Sequence, residues 1–141
     1  MLDIPAELRT QVHRRLRDEY FIWMTTVAAD LSPQPRPVWF VWDDPQDSFL
    51  IYSQPGAHKV RHLALHSRLA LHFNADQTAD KDILIFIGTG RVDPEAPLAH
   101  EQPAFLKKYR DGILSLGMTL EEFSRDYSVA IRVTPSSVRG G

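Results

Sequence analysis

The sequence predicts a mainly β domain of the α+β class, a small antiparallel barrel decorated by helices. Three observations lead there. About six short runs rich in β-branched and aromatic residues lie close together, separated by Pro, Gly, Asp and Asn turn chemistry. Helical patterning does not follow nearly every strand, as an open α/β sheet would require. Six strands joined mostly by short turns need closure to avoid exposed edges.

The elements follow in order. Residues 5–18 read as a helix with Asp3 as N-cap, because Leu8, Val12 and Leu16 recur every fourth position. Arg9, Arg14, Arg15 and Arg17 fall on its other faces and are expected to be solvated. Residues 20–27 turn β in character. A turn over Asp30–Pro35 leads to a second strand at 37–42, which begins with Pro37 where a missing donor is tolerated. Asp43–Asp47 turns the chain into a third strand, 49–53, so these three are expected to form an antiparallel meander.

Gln54-Pro55-Gly56 breaks that strand, and residues 57–66 read as a short helix. A fourth strand is expected at 69–73 and a fifth at 83–87 after a polar loop. Gly88 and Gly90 mark a bulge or a close backbone approach before Arg91 and Val92. Residues 94–110, with Pro97 and Pro103, predict two short helices, and Thr119-Leu120-Glu121-Glu122 matches a capping box. A last strand, 128–133, is expected to stop at Pro135 and leave Ser136–Gly141 as a tail. With no repeat or linker, the 141 residues read as one domain.

Bulk properties bound the function. Sixteen Lys and Arg against eighteen Asp and Glu give a net charge of -2, without the basic field that nucleic acid binding needs. There is no Cys, so disulfide and thiolate chemistry are excluded. The N-terminus lacks the pattern of a signal peptide and no apolar run is long enough to span a bilayer, so a cytoplasmic location is expected. No Ser-His-Asp order, Walker loop or GxGxxG supports a hydrolase or nucleoside triphosphate reading.

One segment carries chemistry. Between Ile51 and Arg61 a strand ends in Ser53, a Pro-Gly turn follows, and a helix opens with Lys59 and Arg61 in its first turns. Cations at a helix N-terminus oppose its dipole unless an anion sits there. Ser53, the Lys59 ammonium and free backbone N–H groups at Ala57 and His58 would together hold a phosphate; the alternative is a plain turn with a solvated lysine. His58, His62 and His66 share a helix face, yet no carboxylate or Cys completes a metal set, so His62 and His66 read as solvated or capping residues. Trp23, Tyr109, Tyr127 and Phe105 read as packing, while Trp39 suits packing or a cofactor ring equally.

The run from Phe49 to Phe73, FLIYSQPGAHKVRHLALHSRLALHF, resembles the signature of the pyridoxamine phosphate oxidase-like split-barrel superfamily. Within it the chain is most similar to the small deazaflavin-dependent oxidoreductases. Thr25-Thr26, Pro35-Arg36-Pro37 and Val38-Trp39-Phe40-Val41 extend the match, which spans roughly residues 8–133. The resemblance implies a six-stranded antiparallel split β-barrel that forms a homodimer with cofactor sites at the interface. It also implies an oxidoreductase using deazaflavin coenzyme F-420, or alternatively FMN, on a small conjugated substrate, with no side chain strictly catalytic. Ser53, Ala57, His58 and Lys59, with Arg61 nearby, would hold the cofactor phosphate; Arg36, Pro37, Val38, Trp39 and Tyr52 would border the ring. Some split-barrel relatives carry haem, so a non-catalytic flavin- or haem-binding protein is the competing expectation. Members that oxidise the vitamin end in an Arg- and His-containing motif absent from Ser137–Gly141, so that activity is not expected.

Overall fold

The computed structural model describes residues 2–140; Met1 and Gly141, the outer residues of the two terminal segments, lie outside them. One antiparallel sheet of seven strands curls into a split barrel, with β1 at Ile22–Val27, β2 at Pro33–Val38, β3 at Val41–Asp43, β4 at Ser48–Ser53, β5 at Arg68–His72, β6 at Leu84–Val92 and β7 at Val129–Gly140. The strand order is β2-β1-β5-β6-β7-β4-β3. Four helices decorate it: α1, Arg9–Asp18; α2, His58–Leu65; α3, Pro103–Ser115; and α4, Leu120–Asp126.

Inside the curl, Ile22, Met24, Phe49, Leu71, Phe86 and Ile131 form the main core, closed by Val12 and Leu16 of α1 and Leu63 of α2. A second core of Leu50, Tyr52, Phe105, Tyr109 and Phe123 lies between the other face of β4 and the α3–α4 pair. β4 serves both, which is why all six of its residues are buried and why its sequence lacks alternation.

Several expectations are corrected. The strand expected at 37–42 divides, and β2 begins four residues earlier, at Pro33. The division has a local cause: the main chain of Phe40 pairs with α3 side chains instead of a strand. Its N–H donates to the Tyr109 hydroxyl at 2.8 Å, and its carbonyl accepts from Lys108 Nζ at 2.9 Å. The three-strand meander is therefore absent; β1 pairs with β2 and β5, while β3 pairs with β4.

The last strand does not stop at Pro135. It runs to Gly140 along β6, and Pro135 stands opposite Gly88 where the register shifts, a place that needs no ladder donor from it. A Cβ on Gly88 would lie 2.8 Å from the Pro135 Cα, so the expected close approach at Gly88 is observed. The expected pair of helices in 94–110 is one 3-10 turn, Ala99–Glu101, and one longer helix, with Pro103 at its first turn.

The N-terminal helix starts with a 3-10 turn capped at Pro5, not at Asp3. Arg15 is buried, not solvated: it donates to the Asn74 carbonyl at 2.7 Å and to that of Asp82, tying α1 to the polar loop. The capping box at Thr119 is present in both directions, at 3.0 Å each.

Candidate functional site

Register places the site. Directly opposed residues of an antiparallel pair share a face, and along β1 and β2 the inward pairs are Ile22 with Val38, Met24 with Arg36, and Thr26 with Gln34. The inner face thus changes from apolar to polar toward one end of the barrel. Three alternate prolines on β2, Pro33, Pro35 and Pro37, blunt this edge strand and leave Gln34 and Arg36 facing the polar end. Across from them the chain leaves β4 through the Pro55-Gly56 turn and enters α2. The space between is a cleft of about 1080 Å³ lined by Thr26, Gln34, Arg36, Ala57, Lys59 and His62, among others.

Lys59 is its electrostatic centre. It is half-buried, and burial followed by repulsion from Arg36 pulls its ammonium below the usual lysine range. Among the described residues no carboxylate lies within ion-pair distance of it. A half-buried cation beside a second cation is relieved by an anion, so the residues present fit a phosphate group.

The neighbouring donors are prearranged. Arg61 folds back over the turn, donating to the Gly56 carbonyl at 3.0 Å and to His58 Nδ1 at 2.8 Å. Because a guanidinium only donates, His58 Nδ1 must accept, which places the ring proton on Nε2 and leaves that N–H to donate elsewhere. Arg61 thus orients His58 and does not itself line the cleft.

Ser53 and Ala57 act differently from the expectation. The Ser53 side chain is buried, does not line the cleft, and donates to the Gln54 carbonyl at 3.1 Å. The Ala57 N–H donates to the same carbonyl at 3.2 Å, so it is not free for a ligand. Both close the turn that presents Lys59.

His62, expected to be solvated, lines the cleft and is fixed by the buried Thr26 hydroxyl, 2.8 Å from its Nδ1. The Thr26–His62 pairing is invisible in the sequence because 36 positions separate the partners. Among the described residues no group of three His, Asp or Glu could hold a metal ion.

Pro37, Val38, Trp39 and Tyr52 meet around a second, smaller space of about 200 Å³, walled also by Phe105, Phe123 and Tyr127. Lys59 borders both spaces, so the predicted residues divide between a polar cleft and an aromatic chamber that share one cation. Trp39 stacks on Tyr109 at 4.5 Å and 6°, which is packing, and it also lines the chamber. Tyr52 donates to the Pro97 carbonyl at 2.7 Å, and burial pushes its phenol up to about 12. Trp23 lies half-buried outside the core, donating to Asn74 at 3.0 Å.

The family model described as pyridoxamine 5'-phosphate oxidase matches residues 8–140. No curated protein matches the chain. Among solved structures, an F420 reductase is similar at 20% identity over 90% of this chain and 94% of that one, with a TM-score of 0.66. A conserved hypothetical protein from Mycobacterium tuberculosis aligns with a TM-score of 0.74, at 14% identity over 97% of this chain and 88% of that one. HutZ, a heme storage protein from Vibrio cholerae, aligns with a TM-score of 0.64, at 16% identity over 94% of each chain.

Proposed function

The chain belongs to the pyridoxamine 5'-phosphate oxidase family, and from that premise we propose that it is an oxidoreductase using deazaflavin coenzyme F-420, with FMN as the alternative cofactor. The observation that carries this reading is the half-buried Lys59, unpaired and repelled by Arg36 at the meeting point of cleft and chamber. The cofactor would supply hydride chemistry toward a small conjugated substrate. The chain's own residues bind and orient: Lys59, Arg36 and the His58 Nε2–H hold the phosphate, and Pro37, Val38, Trp39 and Tyr52 border the ring. Ser53, Ala57 and Arg61 support the site by shaping the turn. The aromatic wall of Phe105, Phe123 and Tyr127 excludes water from that side.

The same reading takes the protein as a homodimer with its sites at the interface. Leu116 borders the chamber while 59% exposed, an apolar rim that a second copy would cover. No helix of the described residues is long and apolar enough to cross a membrane, and the location proposed is the cytoplasm.

Titration of the purified protein with coenzyme F-420 and with FMN, followed by absorbance and fluorescence, tests the proposal. Lys59→Glu is expected to weaken binding of either by about a hundredfold or more while the dimer stays folded. Unchanged affinity overturns the site. A non-catalytic haem or flavin carrier is the second reading, favoured by His62 held on the cleft wall by Thr26. A Soret band on adding haemin, lost in His62→Ala, would establish it in place of the first.

A further inference from the structure

A second basic grouping lies away from the Lys59 cleft and shares no residue with it. Between α1, β3 and α3 is a cavity of about 430 Å³ whose floor includes Leu16, Val41 and Trp42, and whose rim carries His13, Arg17, Lys107 and Lys108. We infer that this cavity is a binding site for a small monocarboxylate with an apolar or aromatic body.

The cations differ in how free they are. Asp18 holds Arg17 through two contacts, at 2.7 and 3.1 Å. Lys108 has no carboxylate within ion-pair distance among the described residues. Its Nζ donates once, to the Phe40 carbonyl at 2.9 Å, and sits 3.6 Å from the centroid of the Phe40 ring. An ammonium has three donors, and one serves that carbonyl. The Phe40 ring face, with Tyr109 at 5.2 Å, meets the charge on one side, so among the described residues no oxygen acceptor other than the carbonyl satisfies it. Burial lowers Lys108 to about 8 despite the opposing pull of Glu19, as expected of a cation short of a counter-charge. Lys107 is exposed at the rim and adds field without filling the space, with His13 exposed beside it.

The floor sets the rest of the ligand. Trp42 is half-buried, with its indole N–H donating to Asp44 at 3.2 Å, so its ring offers a fixed apolar face. A dianionic phosphate prefers converging N–H donors, as at backbone nests, and gains nothing from such a floor. A monocarboxylate satisfies one desolvated cation and buries its body against Leu16 and Trp42.

Phenylacetate is the probe, followed by nitrogen-15 NMR of the Trp42 indole N–H in the full chain. A saturable shift with a Kd of about a millimolar or below is expected for so small a ligand. Phenylacetamide should bind about tenfold more weakly or worse, and inorganic phosphate should not compete. Lys108→Met should weaken phenylacetate about tenfold, while Lys59→Met leaves it unchanged. If Lys108→Met does not fold, the exposed Lys107→Gln takes its place, with a loss of about twofold or more expected from the field alone. No saturable shift, equal binding of the amide, competition by phosphate, or an unchanged Kd in the folded variant each overturns the inference.

Discussion

Two cations near β4 illustrate opposite solutions to the same physical problem. Arg132 on β7 stands opposite Leu50 and is 4% exposed. Its guanidinium donates to Asp93 at 2.8 Å, Asp43 at 2.9 Å and Ser48 at 2.8 Å. Burial alone would lower it, but those two carboxylates outweigh the burial and hold it above its ordinary value. Lys59, one turn past β4, is half-buried and lacks such partners, so burial and Arg36 act on it unopposed. Where the fold needs a buried charge, it surrounds that charge with its own counter-charges. A buried charge left without them marks a place that something else completes.

The contrast breaks most severely at Arg132. Arg132→Met leaves the buried Asp93 with only Arg91, 3.7 Å away, and the half-buried Asp43 without its cation, and is expected to cost about 3 kcal/mol, read from urea unfolding. A loss below about 1 kcal/mol would mean that the carboxylates find water and that the pairing is not structural. Lys59→Met should do the reverse. Stability is expected to stay within about 0.5 kcal/mol or rise, because an unfavourable desolvation is removed. Affinity for coenzyme F-420 or FMN should fall by about a hundredfold, by fluorescence titration. Thr26→Val lies between the two: it strips His62 of its buried partner, costing about 1 kcal/mol in thermal unfolding and severalfold in cofactor affinity.

How far the sequence spoke depended on the range of the interactions. The capping box at Thr119 and the turn before α2 are local, and each is legible from a few consecutive residues. The strand break at Trp39–Phe40 is not, because Tyr109 and Lys108 cause it from 68 or 69 positions away. The run of β7 past Pro135 is equally hidden, since Gly88 on another strand makes the proline harmless. In the site, Lys59 was readable from the clash between its charge and the helix dipole. Ser53 is ambiguous for a related reason: a hydroxyl at a strand end suits a ligand or the turn equally well, and only the fold shows it buried and donating to the Gln54 carbonyl. Nothing in the local pattern around Thr26 or Gln34 signals a cleft; the pairing of β1 with β2 sets them side by side, and the Thr26 contact with His62 brings α2 to them.

Arg36→Gln gives the smallest effect and the sharpest measure of the comparison. Arg36 is exposed, so its removal should change stability at pH 7 by less than about 0.5 kcal/mol. Its influence lies in the titration of Lys59, which it lowers together with burial. A lysine depressed in the folded state binds fewer protons there than in the unfolded chain at any pH between the two values. Its contribution to stability therefore rises with pH across that window, from the lowered folded value up to the ordinary 10.5. Without Arg36, burial remains but the repulsion is gone, so the folded value should move back toward 10.5 and the window should narrow. Carbon-13 NMR of the Lys59 Cε reads this directly as an upward shift in its titration midpoint. A bound phosphate should shift the same midpoint upward in the native protein, because an anion opposes both depressing causes at once. If the midpoint ignores both Arg36 and phosphate, Lys59 is a solvated lysine, and the distinction from Arg132 reduces to depth of burial.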